Sequence, residues 1–201
     1  MPLADAITTR VTCQEYCSWD DDQRWELIDG QAWSMSPAPG FKHQQLAGAL
    51  YALLWGQLKG KRCLAGIAHT DIVLSDYDVV QPDVFVVCDR NKVTNQSIKG
   101  APEIVIEVLS PSTSLKDRRE KKRLYEKFGV QEYLLVDPVG QVVERFCLQD
   151  DGGWDKGEVF GPDQIITFHF LPDVHVDLRE VFVSDAIEET KAPPVPPSVG
   201  A

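Results

Sequence analysis

The chain has 201 residues, of which 43% are hydrophobic and 25% charged. That balance belongs to a globular domain and excludes a wholly disordered chain, and the longest stretch without a strongly polar residue, Leu46 to Gly56, is too short to span a bilayer. Thirty-one acidic against 20 basic residues leave a net charge of −11, a surface that repels nucleic acid unless basic side chains are concentrated locally. Thr12-Cys13-Gln14-Glu15 matches a capping box and predicts a short helix over 13–19. Trp25–Ile28 and Gln31–Met35 flank Asp29-Gly30, the signature of a type I′ β-hairpin. A Pro-rich break follows, and then Leu46, Ala47, Leu50, Leu53, Leu54 and Leu58 recur at helical spacing over 41–58.

Strands are predicted over 62–67, 70–75, 83–88 and 103–109, with a polar loop over 91–100. Ile104–Leu109 is apolar on both faces and marks a central strand. A helix over 115–128, ended by Gly129, leads to a buried strand, Tyr133–Val136. Strand, helix, strand predicts a parallel pair joined by a right-handed crossover. Strands over 141–147, 165–170 and 174–178 complete the domain, taken as residues 1–182. Residues 183–201 are Pro-rich with almost no large apolar side chain, and read as a flexible tail.

None of the five cysteines forms a CxxC pair; Cys88 and Cys147 close apolar runs and read as buried thiols. With no basic-then-apolar opening segment, the expected location is a reducing cytoplasm, without membrane attachment.

The chemistry lies where charge interrupts apolar pattern. Glu107 is the only charge inside Ile104–Leu109, and burying a carboxylate costs several kcal/mol unless it is compensated. Asp83 opens the apolar run Val84–Cys88, just after Pro82. If these strands run antiparallel, Asp83 and Glu107 meet at one end of the sheet, a pairing that suits a hard cation such as Mg²⁺. The plainer alternatives are a turn aspartate and a glutamate near an exposed strand end. At about 100° per residue, Asp117, Lys121, Leu124, Tyr125 and Phe128 share one helical stripe, so Lys121 faces inward. It could instead pair with Asp117 and extend its ammonium to water. His43 lies on the apolar face of its helix, either as a core histidine or as a cleft residue. Residues 116–123 hold six bases and two acids, the one concentrated basic surface, and are expected to contact phosphate. There is no Gly-rich phosphate loop, GxSxG elbow or HExxH motif.

Gln81-Pro82-Asp83-Val84, Gly100 to Thr113 with its Glu107-Val108-Leu109-Ser110-Pro111-Ser112-Thr113 core, Glu120 to Tyr125 and Tyr133 to Pro138 together resemble a restriction-endonuclease-like family of the PD-(D/E)XK nuclease superfamily. Glu26 to Gly30, Met35-Ser36-Pro37 and His43 match its N-terminal pattern, so the resemblance covers roughly residues 10–182. It implies an α/β (α+β) fold, a mixed central β-sheet flanked by helices with an N-terminal β-hairpin. It carries the Pro-Asp aspartate onto Asp83 and the Glu-x-Lys glutamate onto Glu107. The lysine position two after Glu107 is Leu109, and the resemblance implies that Lys121 replaces it. Glu26 and His43 carry over as further residues of the catalytic cleft.

The function expected is a Mg²⁺- or Mn²⁺-dependent endonuclease. Asp83, Glu107 and the Val108 carbonyl would hold the metal, and Lys121 would orient water or stabilise transition-state charge. The substrate would be nucleic acid, DNA first, and a homodimer would suit two-strand cutting. A nuclease-fold binding module without turnover and a hydrolase of smaller phosphate esters are the alternatives.

Overall fold

The protein was analysed as a computed structural model that describes residues 10–20, 23–35 and 38–182. The proposed tail over 183–201 lies outside the described residues. The Thr12 side chain accepts from the Glu15 N–H and starts α1 (Cys13–Tyr16). Asp29 and Gly30 both take positive φ, 52° and 75°, as a type I′ turn requires, and join β1 (Trp25–Ile28) to β2 (Gln31–Ser34). α2 (Phe41–Leu58) buries Leu46, Ala47, Leu50, Leu54 and Leu58.

The chain continues through β3 (Leu64–Ile67), β4 (Asp71–Ser75), β5 (Asp78–Val80), β6 (Val84–Val87), β7 (Ser97–Lys99) and β8 (Ile104–Val108). A helical stretch then runs as α3 (Ser114–Lys116), a π-helical segment (Asp117–Lys121) and α4 (Lys122–Lys127). β9 (Glu132–Asp137), β10 (Val142–Cys147), β11 (Glu158–Phe160), β12 (Ile165–Thr167), β13 (His175–Asp177) and α5 (Leu178–Val181) follow.

The main sheet has the order β11-β10-β9-β8-β6-β3. It is mixed: β8 is parallel to β9, as the crossover requires, and antiparallel to β6. All five residues of β8 are buried, which makes it the central strand. Strand alternation splits the core in two. Val84, Val86, Ile104, Ile106 and Val108 pack with the leucines of α2, whereas Phe85, Val87, Val105 and Leu109 pack with Leu124 and Tyr125 of α4. Asp83 and Glu107 therefore belong to the face covered by the basic helical stretch.

The hairpin does not extend the main sheet. It belongs to a second, five-stranded sheet, β2-β1-β5-β4-β7, which also takes the strand expected over 70–75. The expected loop over 91–100 contains a 3₁₀ turn (Arg90–Lys92) and β7, which pairs parallel to β4. Cys88 is not a free thiol: Leu64 faces Val87 across β3 and β6, and one step further Cys63 is disulfide-bonded to Cys88. Cys147 is a buried thiol, raised to about 11 chiefly by burial. Among the described residues, no helix is long and apolar enough to cross a membrane.

Candidate active-site cleft

A cleft of about 360 Å³ opens between the hairpin, the start of α2, the β5–β6 junction, the end of β8 and the basic helical stretch. Glu26, His43, Asp83, Glu107, Asp117 and Lys121 all line it. Val84 faces Ile106 in the antiparallel β6–β8 pair, so continuing the register by one residue sets Asp83 opposite Glu107. Asp83 Oδ2 accepts from the Val108 N–H at 2.8 Å, which fixes the carboxylate against the end of β8. His43 Nε2 lies 3.2 Å from the same oxygen. Burial opposes a charged imidazole there, but the hydrogen bond and charge of Asp83 prevail and raise His43 above its ordinary value.

Behind this pair lies a buried ion cluster. Lys121 Nζ is 2.7 Å from Glu26 Oε1, 2.8 Å from Glu107 Oε1 and 3.8 Å from Asp117 Oδ1. Lys116 Nζ holds the other Glu26 oxygen at 2.6 Å, and the Gln81 N–H donates to Glu26 Oε1 at 3.0 Å. Tyr125 Oη donates to Glu107 Oε1 at 2.8 Å. The π-helical segment explains how Lys116 and Lys121 can both turn inward. An α-helix would set residues five apart well round from each other, whereas a wider π turn brings them towards one side.

Four carboxylates thus face two lysines, and with Arg24, which lines the same cleft, an excess of one negative charge remains when all are ionised. The excess shows in the proton equilibria. Burial pushes Glu107 up to about 8, with Lys121 offsetting it in part and Asp117, Asp83 and Glu26 adding to the rise. Burial likewise raises Asp117 against the pull of Lys121. Glu26 falls below its ordinary value, because two lysines outweigh its burial. Lys121 itself is raised well above its ordinary value despite burial, by Glu107, Glu26 and Asp117.

Residues 13–179 match the family model "Uma2: Putative restriction endonuclease". The chain belongs to the Uma2 family. It is 34% identical over 150 residues to the uncharacterized protein slr1290 of Synechocystis sp., a match covering 72% of this chain and 78% of that protein. It is 26% identical over 172 residues to sll1609 of the same organism, covering 83% and 97%. A crystal structure from Anabaena variabilis, titled a putative nuclease belonging to DUF820, superposes with a TM-score of 0.71 at 24% identity, covering 86% of this chain and 97% of that one. The restriction-endonuclease-like fold is therefore shared.

The five side chains singled out in this Uma2 sequence, Glu26, His43, Asp83, Glu107 and Lys121, all line one cleft, whereas Val108 touches it only through its N–H bond to Asp83. The basic helical stretch departs from expectation. Two of its bases are spent inside the cleft, Arg118 pairs with Glu144 at 2.6 Å, and the Lys122 ammonium stands 3.2 Å over the Phe146 ring. Arg119 and Arg123 stay exposed on its outer side. Lys116 and Gln81 escape the sequence reading: Lys116 falls off an ideal α-helical stripe, and Gln81 carries no pattern beyond the Pro-Asp motif. Three of the four buried polar side-chain atoms that lack a partner among the described residues, Trp33 Nε1, His43 Nδ1 and Gln81 Oε1, belong to residues lining this same cleft.

Lys121 pairs with three carboxylates, so removing it leaves buried anions uncompensated. Lys121→Met is expected to lower unfolding stability by about 3–5 kcal/mol near neutral pH, read by urea denaturation. A change below about 1 kcal/mol would show that the cluster is not a buried one.

Glu107 has a folded-state value raised from 4.5 to about 8. Its contribution to stability is complete below about 4.5 and is lost as pH rises through about 8. The wild-type Tm should fall between pH 5 and 9, and Glu107→Gln should flatten that fall. Parallel pH curves for the two proteins would contradict the assignment.

Proposed function

We propose that this protein is a divalent-metal-dependent endonuclease that hydrolyses nucleic acid, with DNA as the first substrate to test. The observation that carries this reading is the pairing of Asp83 with Glu107 at adjoining strand ends, in a cleft where carboxylates outnumber ammonium groups. Hard oxygen donors in a cleft where acids outnumber fixed cations fit Mg²⁺ or Mn²⁺. Among the described residues no three His, Cys, Asp or Glu side chains gather into a metal cage. In this reading Asp83, Glu107 and the Val108 carbonyl would hold the ion, with water completing its shell, as Mg²⁺ ordinarily allows. Bound there, such an ion would polarise the phosphate and lower the pKa of an attacking water.

The chain's own contribution is preorganisation. Lys121 and Tyr125 both bind Oε1 of Glu107, which leaves Oε2 outside that pair of bonds. The Val108 N–H and His43 hold Asp83 through Oδ2. Glu26, pinned by Lys116 and Gln81, anchors Lys121. Lys121 then acts as a positioning residue for Glu107 and supplies fixed positive charge beside the reacting phosphate. A two-fold dimer would present one cleft to each strand of a duplex.

The saturation of Lys121 by carboxylates favours a second reading, a nucleic-acid-binding module without turnover. Plasmid nicking in Mg²⁺ or Mn²⁺ separates the two. The nuclease reading expects conversion of supercoiled plasmid that falls by about 10²–10³-fold in Asp83→Asn. Plasmid binding with no conversion by the wild-type protein supports the module, and conversion unaffected by Asp83→Asn overturns the site assignment.

A further inference from the structure

The interior of the cleft is rich in acid, so a polyanion needs cations at its mouth, and the two exposed bases of the stretch over 116–123, Arg119 and Arg123, do not line it. Lys116 and Lys121 are bound to Glu26 and Glu107, Arg118 to Glu144, and Lys122 lies over Phe146. Arg24 and His69 line the same cleft from the entry to β1 and from the β3–β4 connection. Arg24 Nη1 rests against the His69 imidazole, 3.1 Å from Nε2. Among the described residues no carboxylate forms a salt bridge with Arg24.

The start of α2 lines the cleft as well, through Gly40, His43 and Gln44. Its N-cap Gly40 provides no side-chain cap, and its first turn holds Lys42 and His43 and no acid. Cations at a helix N-terminus oppose the helix dipole, and an anion relieves that conflict. One buried nitrogen of this cleft without a partner among the described residues, Trp33 Nε1, is a donor able to meet a phosphate oxygen.

We propose that Arg24 and His69 form a phosphate subsite at the cleft mouth, which holds a substrate phosphate next to the Asp83–Glu107 pair. The proposal rests on the nuclease reading for the identity of its ligand, a phosphodiester chain. Arg24 offers a planar fork that matches phosphate oxygens, and His69 adds a second donor at its side. The uncapped first turn of α2 adds backbone N–H groups to the same anionic region.

The test uses the full chain and a labelled duplex oligonucleotide, with EDTA present so that binding is read without cleavage. Arg24→Gln should weaken duplex binding about tenfold and reduce the slope of log affinity against log salt by about one unit, the share of one phosphate contact. Arg24→Lys should recover part of the affinity, and His69→Gln should show a smaller loss than Arg24→Gln. In the nicking assay Arg24→Gln should raise KM while leaving kcat within about threefold. Thermal melts within about 2 °C of wild type would show that the fold is intact, as expected for side chains at the surface. Wild-type affinity and salt slope in both Arg24→Gln and His69→Gln would overturn the subsite. If cleavage depends on Asp83 while Arg24→Gln is silent, the subsite falls and the nuclease reading stands. If the wild-type protein cleaves nothing but binds duplex in an Arg24-dependent way, the subsite stands and the nuclease reading falls. A wild-type protein that neither binds nor cleaves the duplex overturns both.

Discussion

Lys121 brings its ammonium to within 2.8 Å of two carboxylates, Glu26 and Glu107, in a site almost closed to water. Desolvating one of these ions alone costs several kcal/mol, and their mutual attraction repays that only when the geometry is complete. The cluster is therefore all or nothing. It ties the hairpin through Glu26, the central strand through Glu107 and the helical stretch through Asp117 to one charge. Each of those elements presents a surface to the cleft, so the cleft's shape depends on the cluster as much as on the hydrophobic cores at either side of the sheet.

The backbone that delivers these groups obeys two periodicities and one exception. Period two along β6 and β8 sends Asp83 and Glu107 to the face that carries Phe85, Val87, Val105 and Leu109. Period 3.6 along α4 sends Leu124 and Tyr125 to meet them. The exception is the π-helical segment over Asp117–Lys121, which draws a second lysine, Lys116, into the cluster. Lys116 and Lys121 leave the four carboxylates only partly neutralised. Glu107, raised to about 8 mainly by burial, records the shortfall. A divalent cation would complete the charge balance, and the proposed Arg24–His69 subsite would give an anionic substrate a fixed cation at the mouth.

Local signals were legible wherever one residue type has one structural use. Asp29-Gly30 announced the hairpin, the leucine spacing announced α2, and Gly129 between an amphipathic stretch and an apolar strand announced the parallel β8–β9 pair. The pairing of Asp83 with Glu107 followed from strand direction. β5, β7 and β11, three residues each, are too short to show a period, and β5 and β7 exist because partners in the second sheet hold them. The bond between Cys63 and Cys88 depends on the register of two strands separated in sequence, which composition does not reveal. Lys116 was hidden for a geometric reason, since a helical wheel assumes the very α-helical twist that the π segment breaks. Arg24 and His69 lie outside any regular pattern, so only the folded cleft brings them together.

The central claim is that the unbalanced carboxylates of this cleft, with Asp83 and Glu107 foremost, hold a divalent cation. Calorimetric titration of Mn²⁺ into the metal-free full-length protein tests it directly. The account predicts one ion per chain, with affinity reduced at least about tenfold in Asp83→Asn at the same pH. No saturable binding, or equal binding by Asp83→Asn, would contradict it.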